Sequence, residues 1–537
     1  MKRRALIKGL AAVLPSLYLS KALAATSYIL DPTGINEYVK VPFSPDWVSL
    51  QNYKTPNWYR DAKFGIWAHW GPQCEPEYGD WYGRGMYQEG SDQYNYHVNK
   101  YGHPSEFGFK DVIKVWKAEK WDPDHLVGLY KKAGAEYFVA LANHHDNLDL
   151  YDSSHQEWNS VNIGPKKDII DGWAKAAKKH NIRFGVSVHA AHAWSWYETS
   201  QRSDKKGPKA GIPYDGKTTP ELYAQNHPMS EGSEDNSTIH KQWDWGNGVA
   251  PITKEYSDKF YKRTIELIEK YNPELIYFDD TALPLWPVSN VGLRIAAHFY
   301  NKSVKRNGEL TAVINGKILD KNQRKAMVWD IERGQSNEIE PLPWQTCTCI
   351  GQWHYDRRVY DNHKYKSAKN MIHILTDVVS KNGNLLLSVP VRGEGTIDSD
   401  ELAIVEEIGK WMSVNKEAIY GTRPWKIFGE GPAIENAAPL TAQGFNEGKG
   451  KTLQSADFRF TSKGKVLYAF PMEWPENGQL TIKSLASGSS LYPGKINMVE
   501  LLGHGKITDF ERTTNGLIIS LPAAKPELTY AVALKIE

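Results

Sequence analysis

The segment LIYFDD, residues 275–280, shows most clearly the pattern from which the fold of this chain can be predicted. Four apolar residues make a run of the length of a buried strand, and the run stops at Asp279 and Asp280. A helical pattern over about 254–270 precedes it and stops at Asn272-Pro273. Continuous apolar strands that alternate with helices indicate a parallel sheet covered on both faces.

The same alternation extends in both directions along the chain. Further helices are predicted from Asp122, with Pro123 in the first turn, and over about 168–180 and 371–379. Apolar strands are predicted at 64–68, 137–142, 184–188, 328–331 and 385–387. The chain has 537 residues and no phosphate-binding Gly-rich turn after an early strand, which favours a (β/α)8-like (TIM-type) barrel over a doubly wound sheet. We therefore expect an α/β catalytic domain of this type over residues 25–424.

The pattern changes after Arg423-Pro424. Short runs of alternating apolar and polar residues follow, as at 466–470 and 517–521, and Asn477-Gly478 and Asn515-Gly516 supply turns between such runs. This spacing predicts an antiparallel β-sandwich over residues 425–537.

The first residues have the composition of an export signal. Lys2-Arg3-Arg4 precede an apolar stretch over 9–19, and Ala22-Leu23-Ala24 has the small-residue spacing of a cleavage site. We interpret residues 1–24 as a signal peptide of the twin-arginine type, which predicts a periplasmic or secreted protein. The alternative is an uncleaved membrane anchor, but the apolar stretch is shorter than the roughly 20 residues that a span requires. We expect no stable membrane insertion once the leader is removed.

Composition excludes some functions. Removing residues 1–24 takes away five cationic side chains and no acidic ones, so the formal charge changes from +2 to −3. No Lys/Arg-rich cluster is present, which argues against a nucleic-acid partner. The three cysteines lack the spacing of a zinc site. The 20 Trp and 29 Tyr suit stacking against sugar rings, although they suit core packing equally well.

Polar residues follow the carboxyl ends of the predicted strands, where barrel enzymes keep their active sites. Asp279 is one of them, at the end of a rigid apolar strand. Hydrolysis of a glycosidic bond with retention needs two carboxyl groups about 5–5.5 Å apart, one as nucleophile and one as acid/base. Asp279 is our candidate nucleophile. The structural alternative is that Asp279 and Asp280 only cap a loop.

Four histidines also follow strands, namely His69, His144, His145 and His189. They could bind a catalytic zinc ion. However, adjacent residues of an extended segment point to opposite faces, which argues against His144 and His145 sharing one metal. The other role is hydrogen bonding to sugar hydroxyls, since a neutral imidazole offers one donor and one acceptor. A buried histidine with a purely structural role is the alternative for any one of them alone. We predict no metal and no other cofactor.

Several motifs resemble, in order, those of the α-L-fucosidases of glycoside hydrolase family 29. The resemblance covers roughly residues 45–425 and rests on KFGIWAHWG at 63–71, DWY at 80–82, HHD at 144–146, IYFD at 276–279, ERG at 332–334, WQTC at 344–347, NGNLLL at 382–387 and EAIYGTRP at 417–424. It implies a retaining mechanism on a (β/α)8-like barrel with a C-terminal β-sandwich and no metal.

The resemblance also implies roles for single residues. Asp279 corresponds to the nucleophile. Contacts to the sugar are implied for His69, Asp80, Trp81, His144 and His145, and His189 joins them as the next strand-end histidine, at a position that varies within the family. Glu332 is the favoured acid/base, with Glu338 and Glu340 as alternatives. Asp80 and Gln345 both stand where many members carry Glu, which bears on the finer sugar specificity.

The sequence thus predicts an exo-acting enzyme that releases terminal α-L-fucose from fucosylated glycans by double displacement. L-Galactose is L-fucose with one added hydroxyl, and hydrophobic pockets reject a hydroxyl poorly, so an α-L-galactosidase acting on L-galactosylated glycans is the nearest alternative. A glycan-binding protein without hydrolytic activity is an alternative of a different class.

Overall fold

The computed structural model describes residues 42–219, 222–224, 227–231, 245–246, 248–435 and 444–537, and the backbone of two short paired strands at Tyr28–Ile29 and Val39–Lys40. The predicted signal peptide, residues 1–24, lies outside the described residues. Among the described helices, none has the length and apolar character needed to cross a membrane.

Eight parallel strands close into a barrel, which confirms the predicted fold class. Neighbouring strands pair in chain order, and the eighth strand closes the barrel by pairing with the first. In chain order these strands are β1 Phe64–Ala68, β2 Tyr137–Asn143, β3 Arg183–Val188, β4 Leu275–Phe278, β5 Val313–Gly316, β6 Val328–Glu332, β7 Trp344–Cys349 and β8 Gly383–Ser388. The sequence pattern identified six of them and missed β5 and β7.

The inside of the barrel is packed with large side chains, and this explains a glycine in β1. A Cβ atom at Gly65 would lie 2.4 Å from the ring of Tyr137 on β2. The Tyr137 hydroxyl donates to Oε1 of Gln345 on β7 at 3.1 Å, and the Tyr59 hydroxyl donates to the same oxygen at 2.8 Å. Gln345 therefore lies in the barrel interior, where it holds two tyrosines in place.

Helices connect the strands, and three begin at the predicted residues, whereas the helix predicted from 371 begins three residues earlier, at Ala368. The side chains of Asp122, Asp168, Thr253 and Ser367 each accept a hydrogen bond from the first turn of the helix that follows. The described α-helices are Trp47–Leu50, Asn57–Ala62, Tyr82–Gly85, Asp92–Lys100, Phe109–Val115, Pro123–Lys132, Ile169–Lys179, Ala193–Trp196, Lys254–Tyr271, Val291–Asn307, Arg357–Asp361, Ala368–Ser380, Ser399–Asn415 and Pro432–Glu435.

The C-terminal region consists of two antiparallel sheets that share one apolar core, as predicted. One sheet has six strands in the order β9-β10-β11-β17-β13-β14, and the other has three in the order β12-β16-β15. The strands are β9 Arg423–Glu430, β10 Phe458–Lys463, β11 Val466–Pro471, β12 Gln479–Ile482, β13 Val499–Leu501, β14 Gly505–Ile507, β15 Phe510–Thr513, β16 Gly516–Ser520 and β17 Leu534–Ile536.

The six-stranded sheet packs against the barrel through a buried ionic cluster. Asp377, on the helix Ala368–Ser380, accepts hydrogen bonds from Lys381 at 2.7 Å and from Arg459 of β10 at 2.5 Å. Phe470 of β11 belongs to the apolar core of the barrel rather than to that of the C-terminal sheets. The C-terminal region is therefore joined to the catalytic barrel by both apolar and charged contacts.

Candidate active site

A cavity of about 540 Å³ opens at the carboxyl ends of the barrel strands. The first seven strands, or the loops that follow them, each contribute residues to its wall. The lining residues are Trp67, His69, Asp80, Trp81, His144, His189, Tyr277, Asp279, Thr281, Lys317, Ile318, Trp329, Asp330, Ile331, Glu332, Arg333, Trp353, His354, Gly444 and Phe445. The structure thus brings together every predicted site residue except His145 in the wall of one cavity.

Asp279 follows β4 and is only 8% exposed. Its Oδ2 atom accepts a hydrogen bond from His189 Nδ1 at 2.9 Å and lies 3.2 Å from His145 Nε2, while Oδ1 contacts Lys317 Nζ. Burial raises the pKa of this carboxyl group, but the Lys317 ammonium and the two imidazoles lower it more, so that its pKa lies well below the usual range. Asp279 is therefore held rigidly and kept ionised.

His145 does not line the cavity itself but contacts Asp279, which does. Its Nδ1 atom is 2.8 Å from the carbonyl oxygen of His189, which directs Nε2 toward Oδ2 of Asp279. The sequence implied a contact between His145 and the sugar. The observed contacts are instead those of a residue that positions the carboxylate.

Lys317 is the main site residue that the sequence analysis missed. It directly follows β5, and its ammonium contacts both Asp279 and Glu332, with Nζ 2.5 Å from Glu332 Oε2. Burial lowers the pKa of Lys317, but the two carboxylates raise it more, so the net shift is upward and the side chain is charged. Two oxygens that contact one nitrogen lie at most about two hydrogen-bond lengths, roughly 6 Å, apart.

Glu332 is the only one of the three acid/base candidates that lines the cavity among the described residues. It is the last residue of β6, so a strand end fixes its position. Glu340 accepts a hydrogen bond from Ser336 Oγ at 2.6 Å and does not line the cavity, and neither does Glu338.

Four imidazoles form a compact group in the cavity wall: His69, His144, His189 and His354. Their neighbouring ring centroids lie 4.7 to 5.1 Å apart. Burial, together with neighbouring imidazoles, lowers the pKa of His69 and His144 well below the usual range, and burial lowers that of His189 to about 4. These three rings are neutral near pH 7, and each can donate and accept a hydrogen bond.

Several ring nitrogens of this group have no hydrogen-bond partner within the described part of the chain. They are both nitrogens of His69, both of His354 and Nε2 of His189. Because unpaired buried polar atoms are costly, nitrogens in a cavity wall indicate that the cavity takes a polar ligand.

Asp80 and Trp81, in the loop after β1, also line the cavity. The backbone of Trp81 is left-handed, with φ +60°, and Oδ1 of Asp80 accepts the backbone N–H of His354 at 2.7 Å. His354, which lies in the loop after β7, was not identified from the sequence. By contrast, Gln345 donates to Asp330 inside the barrel at 2.7 Å and does not line the cavity.

Two groups of side chains among the residues that the structure describes have the spacing of metal ligands. The ligand atoms of His69, His144 and His189 lie within 4.8 Å of one another, and so do those of His145, His189 and Asp279. His144 and His145 belong to different groups, as the sequence analysis expected. In the second group the Lys317 ammonium already contacts Asp279, and its positive charge would oppose a dication there.

A closed barrel whose strand ends present two carboxylates beside neutral imidazoles has the architecture of a barrel glycoside hydrolase. Comparison with known proteins gives the family. The model of the family described as alpha-L-fucosidase matches residues 35–417, and that of the alpha-L-fucosidase C-terminal domain matches residues 451–537. The chain belongs to the α-L-fucosidase family.

Relatives match over most of their length. The tissue alpha-L-fucosidases of Bos taurus and Homo sapiens are each 27% identical to this chain, and each match covers 90% of this chain. The matches cover 88% of the Bos taurus protein and 89% of the Homo sapiens protein. A solved structure of a Thermotoga maritima alpha-L-fucosynthase, in complex with alpha-L-Fuc-(1-2)-beta-L-Fuc-N3, has a TM-score of 0.68 and 25% identity, and covers 93% of this chain and 100% of that one. Alpha-L-fucosidase isoenzyme 1 from Paenibacillus thiaminolyticus shares the fold, with a TM-score of 0.60 at 19% identity over 89% of this chain and 97% of that one.

Proposed function

We propose that this protein is a retaining exo-α-L-fucosidase that releases terminal α-L-fucose from glycans, with Asp279 as nucleophile and Glu332 as acid/base. The observation that carries the proposal is the environment of Asp279: a buried, ionised carboxylate at a strand end, within reach of the same ammonium group as a second carboxylate. Membership of the α-L-fucosidase family supports the choice of sugar.

In the first step, an oxygen of Asp279 attacks the anomeric carbon while the bond to the leaving oxygen breaks. Glu332, in its protonated form, gives its proton to that oxygen, and the sugar becomes bound to Asp279 as an ester. The contacts to His145 and His189 fix the orientation of the attacking carboxylate.

In the second step, the Glu332 carboxylate takes a proton from a water molecule, which attacks the same carbon. The ester bond to Asp279 breaks, and Asp279 leaves as a carboxylate. Two inversions at one carbon give net retention, so the released fucose is the α-anomer.

The spacing of the carboxylates supports retention over inversion. Inverting enzymes keep their carboxyl groups about 6.5–9.5 Å apart to leave room for a water molecule, whereas retaining enzymes keep them about 5–5.5 Å apart. Because both contact the single ammonium of Lys317, the nearest oxygens of Asp279 and Glu332 lie at most about 6 Å apart, which is below the range of inverting enzymes.

The contact between Lys317 and Glu332 has to change during this mechanism. The Lys317 ammonium occupies Oε2 of Glu332, whereas the first step needs the Glu332 carboxyl group to face the leaving oxygen. We infer that Lys317 keeps its contact with Asp279 and gives up its contact with Glu332 when the sugar binds between the two carboxylates.

The test is hydrolysis of an aryl α-L-fucoside by the full chain, with the anomer released first identified by NMR. We expect turnover with α-L-fucose as the first product, and a loss of about 10⁴-fold in kcat for Asp279→Ala. Asp280→Asn is the matched control, because Trp245 and the Leu285 amide occupy the Asp280 oxygens at 2.9 and 3.1 Å. Initial release of the β-anomer would exclude retention, and near-normal turnover by Asp279→Ala would exclude this nucleophile.

An α-L-galactosidase is the second candidate, because ring nitrogens of the cavity wall are available to an additional hydroxyl. Five ring nitrogens, on His69, His189 and His354, have no hydrogen-bond partner among the described residues. The added hydroxyl of L-galactose could pair with one of them. Comparing kcat/KM for the aryl α-L-fucoside and the aryl α-L-galactoside decides between the two, and a clear preference for the galactoside would replace fucose as the substrate.

A further inference from the structure

The mouth of the cavity carries exposed apolar side chains, in contrast to the polar wall below. Nine large apolar side chains are exposed among the described residues, and two of them, Ile318 and Phe445, line this cavity. Phe445 is 58% exposed and is the one aromatic residue among the nine, while Ile318 is 55% exposed. Large apolar side chains exposed at the rim of a polar cavity indicate a surface that contacts a ligand or a partner.

Phe445 reaches this mouth because the chain between the two domains returns to the barrel. The N–H of Phe445 donates to the Glu332 carbonyl at 2.8 Å, and the N–H of Glu447 donates to the Arg333 carbonyl at 2.9 Å. Gly444 has φ +85°, and a Cβ atom there would lie 3.1 Å from the Glu332 carbonyl oxygen. The backbone of 444–447 is thus built directly onto the end of β6.

Side chains fasten the same segment to the barrel. Glu447 accepts hydrogen bonds from Thr348 Oγ1 at 2.8 Å and from Lys366 Nζ at 2.7 Å. Asn446 Oδ1 accepts the Gln335 N–H at 2.9 Å. The position of Phe445 beside Glu332 is therefore fixed by contacts on both sides of it, while its own ring stays exposed.

We propose that Phe445 and Ile318 form a platform for the sugar unit on the leaving-group side of the scissile bond. This inference rests on the proposed function, in which Glu332 protonates the leaving oxygen. The group attached to that oxygen must lie beside Glu332. Two exposed apolar residues of the cavity lining are tied to Glu332 through the backbone: Phe445, whose N–H donates to the Glu332 carbonyl, and Ile318, which follows Lys317. Sugars present C–H faces that pack on flat apolar rings. The polar wall of the cavity thus binds the fucose unit, and the apolar mouth binds the sugar unit that is attached to it.

The test compares two substrates that need the same acid catalysis but differ in size. Methyl α-L-fucoside has a poor leaving group that needs Glu332 but is too small to cover the platform, whereas a fucosyl-galactose disaccharide needs Glu332 and covers it. For Phe445→Ala we expect kcat/KM on the disaccharide to fall about fivefold, mostly through KM, with methyl fucoside unchanged. Phe445→Trp keeps a flat ring and should keep activity on both substrates. Val48→Ala, at a position 80% exposed on the helix Trp47–Leu50, is the control for loss of an exposed apolar group.

The possible results distinguish the platform from other roles of Phe445. An equal loss on both substrates would mean that Phe445 acts by positioning Glu332, and no loss on disaccharides of any linkage would mean that nothing rests on the ring. Either result overturns the platform and leaves the proposed function intact. If the wild-type protein hydrolyses neither substrate, the proposed function fails, and the platform fails with it.

Discussion

Single residues around Asp279 favour its charged form against the cost of burial. Burial alone would raise the pKa of a carboxyl group with 8% exposure, and the contacts from Lys317, His145 and His189 reverse that effect. A nucleophile must be ionised to attack, so under the proposed mechanism these contacts contribute to catalysis as well as to structure.

Replacing Lys317 should show this in the pH dependence of the reaction. Without the ammonium group, burial is opposed only by the imidazoles, so the pKa of Asp279 should rise and the acid limb of kcat/KM should move to higher pH. We expect Lys317→Met to lose about 10²–10³-fold in kcat as well. Lys317→Arg keeps the positive charge and should keep the acid limb close to that of the wild type. An unchanged acid limb in Lys317→Met would show that Lys317 does not control the ionisation of Asp279.

The sequence revealed some of these residues and not others, for a physical reason. Asp279, His69 and His189 follow mainly apolar runs, so their position at strand ends could be predicted. Lys317 follows β5, a four-residue strand, Val313–Gly316, that includes an asparagine and a glycine and does not form an apolar run. The pairing of Lys317 with two carboxylates depends on the closure of the barrel, which no local pattern contains.

At the level of elements, the barrel strands depend on small residues where large ones cross the interior. Gly65→Ala places a methyl group 2.4 Å from the buried ring of Tyr137 on the neighbouring strand. We expect the free energy of unfolding to fall by about 1–3 kcal/mol, measured by urea denaturation.

Gly450→Ala is the matched control, since nothing lies within 4 Å of its added methyl group. Its free energy of unfolding should stay within about 0.5 kcal/mol of the wild type. Equal effects at the two positions would show that the contact with Tyr137 does not limit the residue at position 65.

The strands that the sequence pattern identified are mainly apolar, although β3 contains Ser187 and β6 contains Asp330. Strands β1 and β4 have the predicted bounds, and β2, β3, β6 and β8 are longer than predicted by one to three residues. Strand β7, Trp344–Cys349, was missed because Gln345 and four residues with hydroxyl or thiol groups interrupt its apolar character, although all six residues are buried. Its polar side chains pair inside the barrel, which only the assembled sheet shows.

At the level of the whole molecule, the C-terminal sheets and the barrel share a buried ionic cluster. Asp377 lies between Lys381 and Arg459, which are 5% and 6% exposed. Burial raises the pKa of Asp377, but the two cations lower it more, so its pKa lies below the usual value. The stabilisation is therefore present above the pKa of an unfolded aspartate, about 3.9, and is lost as the pH falls below it.

Asp377→Asn should leave two buried cations without their anion. We expect the free energy of unfolding at pH 7 to fall by about 3–5 kcal/mol. Asp361→Asn removes a carboxylate that is 53% exposed and lies 3.6 Å from Arg357, and it should cost less than about 1 kcal/mol. A cost for Asp377→Asn as small as that for Asp361→Asn would show that the cluster does not join the two parts.

Most of the molecular architecture could be predicted from patterns along the chain: a parallel barrel, then antiparallel sheets. The contacts that join the parts could not, because Asp377 and Arg459 are 82 residues apart. The same holds for Phe445, which reaches the active site from beyond the end of the barrel. The export signal over residues 1–24 stays a prediction.

In the proposed mechanism Asp279 becomes covalently bound to the sugar, and this species can be trapped. A 2-fluoro-α-L-fucosyl fluoride slows both steps through its 2-fluoro group, while its good leaving group speeds the first, so the ester accumulates. After proteolysis, mass spectrometry should find one fluorofucosyl group on the peptide that contains Asp279, with fragmentation placing it on that residue. A label on Glu332 or on any other residue, or turnover without any labelled enzyme, would contradict the account.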